Sequence, residues 1–311
     1  MIYKEGELMN TAALIIAAGL PMYDGVPAAM FKVGSVSTAE HMIASFEKLG
    51  AAALYLVTDE TTKKLEKQLS STSCMFIRCK GNPLEAAKQA IVSLPKHYDR
   101  ILVCCGDRPL VLPASLKKLL SSHGDVTALS FKGVESPFCI MSMEAAEIFC
   151  ADTQSKSFAE AFSNLGFEKR LIEQNDPGLV TRSEDAAKDE TVLLQHQNAL
   201  TRPVIDVQIH GEQMILEPRL IKLLRLVNSL HSVRDACEML GISYSIAWNL
   251  LNSAEDQLGY ALIRRNQGGR SGPGSELTEK GRKLLASYDG FEAELNKQMQ
   301  AMFDEYFADI L

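Results

Sequence analysis

The sequence has no apolar run approaching the ~18–20 residues of a membrane-spanning helix, and its opening stretch, MIYKEGELMN, mixes charges where a signal peptide carries an apolar core. Membrane insertion and secretion are therefore not expected. Cysteine is sparse and unpatterned: seven residues (Cys74, Cys79, Cys104, Cys105, Cys139, Cys150 and Cys237), an odd number, with no CxxC and no Cys/His metal spacing. That argues against a disulfide framework and a zinc site, and a reducing cytoplasm fits best. No internal repeat or low-complexity run is present. Nor does any Ser/His/Asp or Cys/His constellation emerge from spacing; Cys104 and Cys105 read as core, His41 and His97 as surface.

What remains is ordinary globular material: 311 residues, 46% hydrophobic and 23% charged, enough at ~150 residues each for about two domains with a sizeable core. The net charge of −7 is unevenly spread. Residues 218–285 hold ten Lys and Arg against six acids, a local +4 that leaves −11 for the remainder. A basic segment on an acidic chain is the electrostatic footprint of a DNA-binding module joined to another domain.

From Thr11 to about Glu190, short apolar runs alternate with helical patterns. Residues 12–18, 53–58, 75–78, 100–105 and 125–130 read as buried strands, and 38–49, 61–69, 83–93 and 113–122 as helices. Several strands are apolar on both faces, as a parallel sheet covered by helices requires. The order predicts an α/β fold, a doubly wound, mostly parallel sheet. After Glu190, TVLLQHQNALTRP has no clear period and reads as a linker. Residues 204–216 then alternate around His210-Gly211, a hairpin signal, and from Pro218 the text is helical, with Leu220, Leu223, Leu224 and Val227 at helix spacing. The boundary falls near residue 200, giving domains 1–200 and 201–311.

The second domain reads as a winged helix-turn-helix. Ser232 caps a helix over 233–240, Gly241-Ile242 turns, and Ser243 caps a longer helix over 244–257. Ile242, Ile246, Leu250 and Leu251 are expected inside. Ser243, Tyr244, Ser245, Asn249 and Asn252 then face outward, where a recognition helix meets base edges and phosphates. Downstream, ALIRRNQGGRSGPGSELT reads strand, Gly-rich tip, strand, and Arg264, Arg265 and Arg270 suit a wing lying along a phosphate backbone. On the GISY…AW block, the GG…GxG wing and the LTxxGRxLL helix start, residues 204–290 resemble the DNA-binding domain of molybdate-responsive (ModE-type) regulators, relatives of LysR-type winged helices. The resemblance implies that Ser243, Tyr244 and Ser245 open the recognition helix, that Trp248 is a core anchor, and that Arg270 lies in the wing. The sequence given shows no counterpart of that family's molybdate-binding domains. It continues instead as a helix with Leu284, Tyr288, Phe291, Leu295, Met302, Tyr306 and Ile310 mostly three to four apart, a pattern that suggests homodimerisation and an inverted-repeat operator; packing against the first domain is the other reading.

In the first domain, the strand ending in Ala17-Ala18-Gly19 leads into a loop whose N–H groups could face a phosphate, and Asp107 lies just past another strand, suited to Mg²⁺. LIIAAGL and Gly106-Asp107-Arg108-Pro109-Leu110 resemble the opening and the metal-binding block of MobA/MocA-like molybdenum cofactor guanylyl- and cytidylyltransferases; Gly81 opens a segment where that family contacts the base. The resemblance implies a nucleotide site at Ala18, Gly19, Leu20, Gly81 and Asp107, with Asp107 holding Mg²⁺ and CTP or GTP as ligand. The chain departs from the pattern. Where the family has Arg-Met-Gly and then Lys, this sequence has Pro21-Met22-Tyr23-Asp24-Gly25 and Ala28, with Lys32 nearby but out of register. Thr181 occupies the slot of the second metal ligand, with Asp176 close by. Losing such charges removes roughly 3–4 kcal/mol of stabilisation per group. The expected function is therefore a dimeric DNA-binding transcriptional regulator of molybdenum metabolism, its first domain sensing a nucleotide or molybdopterin. The alternative is a Mg²⁺-dependent cofactor cytidylyl- or guanylyltransferase with an autoregulatory DNA-binding tail.

Overall fold

The computed structural model describes residues 10–49, 53–69, 72–269 and 272–307, apart from the side chains of 265–273 and of residue 304. The MIYKEGELM start, Arg270, the side chain of Arg265 and Ile310 lie outside the described residues. The chain divides into two compact units, Met1–Thr201 and Arg202–Leu311.

In the first unit the elements run β1 (Thr11–Ile16), α1 (Thr38–Glu47), β2 (Ala53–Thr58), α2 (Lys64–Gln68), β3 (Met75–Arg78), α3 (Pro83–Ser93), β4 (Arg100–Cys105) and α4 (Pro113–Leu120). They continue with β5 (Val126–Phe131), β6 (Val134–Ser142), α5 (Met143–Ala151), α6 (Phe158–Ser163), β7 (Lys169–Glu173), α7 (Ser183–Ala186) and α8 (Glu190–Leu200). The seven strands form one sheet in the order β7-β5-β6-β4-β1-β2-β3. β1 is buried at all six positions, as a central strand covered on both faces must be. It runs parallel to β2 on one side and to β4 on the other, with Ile16 level with Val57 and with Cys105. Its two neighbours make the carboxyl ends of β1 and β4 a topological switch point, where chains leave in opposite directions and open a crevice. β6 is antiparallel to both β4 and β5 and carries a register shift between Glu135 and Cys139, the stretch that holds Pro137.

Two sequence expectations fail here. Residues 191–200 belong to α8 rather than to a linker; Asp189 caps the helix by accepting from Val192 N–H, and only one side chain, His196, is buried. A helix burying so little shows no 3.6-residue apolar period. His41, expected at the surface, is 3% exposed, its ring 5.2 Å from that of His196.

The second unit opens with a short ribbon, β8 (Ile209–His210) and β9 (Met214–Leu216), then α9 (Pro218–Leu230), α10 (Val233–Leu240) and α11 (Tyr244–Leu258). The wing strands β10 (Ile263–Gly269) and β11 (Gly272–Leu277) lead into the long α12 (Glu279–Phe307). Leu220, Leu223, Leu224 and Val227 are all buried on the inner face of α9. Arg225 on the same helix pairs with Asp289 at 2.7 Å and Glu292 at 2.6 Å, and the Tyr288 hydroxyl donates to Val207 O at 2.8 Å, so α12 is tied down at Tyr288, Asp289 and Glu292. Phe291 beside these tethers, and Met302, Tyr306 and Phe307 beyond them, are exposed. No helix among the described residues is long and apolar enough to cross a membrane.

Candidate ligand pocket and nucleic-acid interface

At the switch point the backbone passes unusually close to itself. Gly106 N–H donates to Ile16 O at 2.8 Å, and an added Cβ at Gly106 would lie 2.8 Å from that same oxygen. Gly19, at φ +66°, lies against the Gly81–Asn82 backbone: an added Cβ would stand 2.4 Å from Gly81 O. Gly19 and Gly81 thus meet, with Asn82 capping α3 through a reciprocal bond pair with Glu85. Three of the loop amides are engaged within the protein. Ala17 N–H and Ala18 N–H both donate to Val57 O at 2.9 Å, and the left-handed turn aims Gly19 N–H at Asp59 Oδ2, 2.8 Å away. Asp59 was not singled out from sequence. Burial would raise its pKa, but hydrogen bonds from Thr61, Gly19 and Thr62 outweigh burial and hold the carboxyl below its usual value.

After Leu20 the chain makes a tight hairpin in which Met22–Tyr23 pairs with Val26–Pro27 across Asp24 (φ +49°) and Gly25 (φ +77°). Asp-Gly with two positive φ angles matches the right-handed twist of a two-residue hairpin. The segment that resembles a cation-bearing loop is thus a ribbon presenting Tyr23. Its ring packs edge-on against Phe31 at 5.9 Å, and its hydroxyl is buried with no hydrogen-bond partner among the described residues. Burial chiefly raises its pKa; Asp107 and Glu184 add to the rise, while Arg182 and Arg108 oppose it, which places all four charges around this hydroxyl. Lys32 is exposed on a second small ribbon, paired with Ser37 at the start of α1.

Asp107 follows β4 and is 5% exposed. Its Oδ1 lies 2.6 Å from Arg108 Nη1, with the two side chains only 7% and 11% exposed. Ser183, at the start of α7, closes the site: its N–H donates to Asp107 O at 3.1 Å, and its hydroxyl lies 3.2 Å from Ala28 O and 3.3 Å from Asp107 O. Thr181 and Asp176 are engaged elsewhere. The Thr181 hydroxyl donates to Pro177 O at 2.8 Å, while Asp176, 1% exposed, accepts from Leu112 N–H and Gly178 N–H at 2.9 Å each. Burial pushes the Asp176 pKa up despite these bonds. Beside Asp107, burial lifts the Cys105 thiol to about 12. No cluster of three or more His, Cys, Asp or Glu suited to a metal occurs among the described residues. A Mg²⁺ ion fits this set poorly: the one carboxylate at the strand end is held by a guanidinium, and the second-ligand positions are occupied by other bonds.

The helix-turn-helix is built by its caps. Ser232 accepts from Asp235 N–H, Gly241 turns at φ +63°, and the Ser243 hydroxyl accepts from Ile246 N–H at 3.3 Å. Ala247, Leu251 and Ala254 form the buried stripe of α11. Tyr244, Ser245, Asn249 and Asn252 are exposed. The inward expectation fails for Ile246, 42% exposed, and only partly holds for Ile242 and Leu250; Ile246 and Leu250 lie one step round from the 247/251/254 stripe and line a groove with Met214, Ile215 and Leu220. Trp248 is half-buried, edge-on to Tyr244 at 5.9 Å, rather than a core anchor. The wing is pinned at its base: Glu255 accepts from Leu262 N–H and Ile263 N–H, and Ser275 N–H donates to His231 O. Arg264, 62% exposed, pairs with Glu276 at 2.8 Å.

These features define a two-part protein: a doubly wound α/β domain with a crevice at its switch point, and a winged helix-turn-helix. Residues 13–175, just over half of the chain, match the MobA-like NTP transferase domain, and the chain belongs to that family. Residues 218–282 match the bacterial regulatory helix-turn-helix proteins of the lysR family. The transcriptional regulator ModE of Yersinia pestis is 29% identical over 94 residues, 30% of this chain and 36% of that protein. The molybdenum-pterin-binding protein MopB of Rhodobacter capsulatus is 30% identical over 81 residues, 26% of this chain and 30% of that protein. The chain thus spans about a third of the length of these curated relatives. Among solved structures, 4-diphosphocytidyl-2C-methyl-D-erythritol synthase from Anaerococcus prevotii aligns over 63% of this chain and all of its own, with a TM-score of 0.49 at 11% identity.

Proposed function

We propose that the chain is a DNA-binding transcriptional regulator linked to molybdenum or molybdopterin metabolism, and that its nucleotidyltransferase-like domain serves as a ligand sensor. The observation that carries this reading is the exposed row Tyr244, Ser245 and Asn249 on a firmly capped helix beside a basic wing, in the segment that matches the lysR family. The molybdenum link is supported by the likeness to ModE and MopB. The first domain reads as a sensor because a Tyr-bearing hairpin stands where the related transferases carry loop cations, while Asp107 keeps its place at the end of β4. A homodimer is supported by the exposed Phe291, Met302, Tyr306 and Phe307 of α12, a stripe too apolar to favour water. Ligand binding would then alter DNA affinity by favouring one placement of the paired wings.

The test is anisotropy of labelled duplex DNA with the full chain at fixed salt, with and without molybdopterin, CTP or GTP. Sequence-dependent binding that shifts with one of these ligands is expected. DNA affinity unchanged by a ligand shown separately to bind would refute the coupling. Pyrophosphate release from CTP or GTP with molybdopterin would favour a transferase instead.

A further inference from the structure

Three polar atoms at the switch point are buried and make no well-aligned hydrogen bond among the described residues: Tyr23 Oη, Arg108 Nε and Asp107 Oδ1. Two of them are donors. Asp107 Oδ1 is also the atom against which Arg108 Nη1 rests, at 2.6 Å. A divalent ion bound there would have to displace a buried guanidinium or sit beside its like charge. The second-ligand positions offer nothing in exchange, since Thr181 and Asp176 are held by Pro177, Leu112 and Gly178. The remaining donors are Tyr23 Oη–H and Arg108 Nε–H, each of a kind that an oxygen of a phosphate-type oxyanion accepts from. Two carboxylates, Asp107 and Glu184, and two guanidiniums, Arg182 and Arg108, act on the tyrosine hydroxyl.

We infer that this crevice binds a ligand through one phosphate-type oxyanion without a divalent cation, Arg108 standing where the related transferases hold their metal. The inference rests on the sensor reading of the first domain and names the ligand class for that site.

Calorimetry of the full chain with CMP, CTP and inorganic phosphate, each in EDTA and in millimolar MgCl₂, tests it. The expected result is binding of CMP or phosphate that EDTA does not weaken. Tyr23→Phe keeps the ring on Phe31, removes only the hydroxyl, and should weaken that binding by about three- to tenfold. Arg108→Gln should weaken binding in EDTA by about tenfold or more, with Mg²⁺ now restoring part of it because Asp107 is released. Thermal melting of both variants separates loss of the site from loss of fold; if Arg108→Gln unfolds, Tyr23→Phe decides. Binding by the unmodified chain that requires Mg²⁺ would overturn the inference, and so would failure of all three probes to bind. DNA titrations on the same preparations keep the outcomes apart: DNA binding without oxyanion binding defeats this inference alone, and oxyanion binding without DNA binding defeats the regulator reading.

Discussion

The buried imidazoles of His41 and His196 should make the first unit acid-sensitive in a way one substitution removes. His41 Nε2 lies 2.8 Å from Val33 O and therefore donates to it. His196 Nε2 lies 3.1 Å from the Ser45 hydroxyl, which also reaches Val111 O at 2.9 Å. The rings are 5.2 Å apart, and neither can take up a proton without placing charge in a site closed to water. Burial first, and the neighbouring His41 second, bring the His196 pKa from 6.5 down to about 4; burial lowers His41 as well. In the unfolded chain His196 protonates near 6.5, so between that pH and about 4 the unfolded state binds more protons. Stability from this residue is therefore fully present above pH 6.5 and falls as pH drops toward 4. Between roughly pH 7.5 and 5 the linkage amounts to about 2 kcal/mol for His196 alone, with His41 acting in the same direction. Urea unfolding of the chain and of His196→Gln at those two pH values measures it. Glutamine retains a partner for Ser45 without titrating, so the variant should lose about 2 kcal/mol less on acidification. Equal pH slopes in the two proteins would refute the buried-neutral assignment.

Further outcomes follow from other parts of the structure. Asn249→Ala should relax base preference at one position of the DNA site by about 1–3 kcal/mol, read by anisotropy on a panel of single-base variants. Arg264→Ala, at an exposed wing position, should weaken binding to all sequences alike and reduce the slope of log affinity against log salt by about one, measured by the same titration across salt concentrations. Leu251→Ala, fully buried in α11, should cost about 2–5 kcal/mol in chemical denaturation. Gly19→Ala would drive a Cβ to 2.4 Å from Gly81 O and should abolish oxyanion binding, measured by calorimetry, while DNA binding stays intact.

Much of the architecture was legible because its residues serve one purpose at a time. Strands at 53–58, 75–78 and 100–105 are apolar runs closed by polar or turn residues, and their observed limits match the sequence reading. The caps at Ser232 and Ser243 and the Gly241 turn were equally plain, since each has a local signature. β6 escaped notice because Pro137 interrupts it, and a register shift that only the sheet reveals accommodates that proline. α8 escaped because a helix with one buried residue carries no period. At the site, sequence pointed to Gly19, Gly81 and Asp107, yet not to what occupies them. The Asp59 carboxylate on the Gly19 amide and the Arg108 guanidinium on Asp107 are spatial pairings that spacing does not encode. Ile246 illustrates the same limit: one helical step separates the buried stripe from an exposed groove wall.

The claim that the second unit reads DNA sequence is tested most directly by titrating the full chain and Asn249→Ala against a duplex selected from a randomised pool and against its scrambled counterpart. Tight binding to the selected duplex, weaker salt-dependent binding to the scrambled one, and loss of most of that difference in the variant are expected. Equal affinity for both duplexes, or a preference that survives Asn249→Ala and Ser245→Ala together, would contradict it.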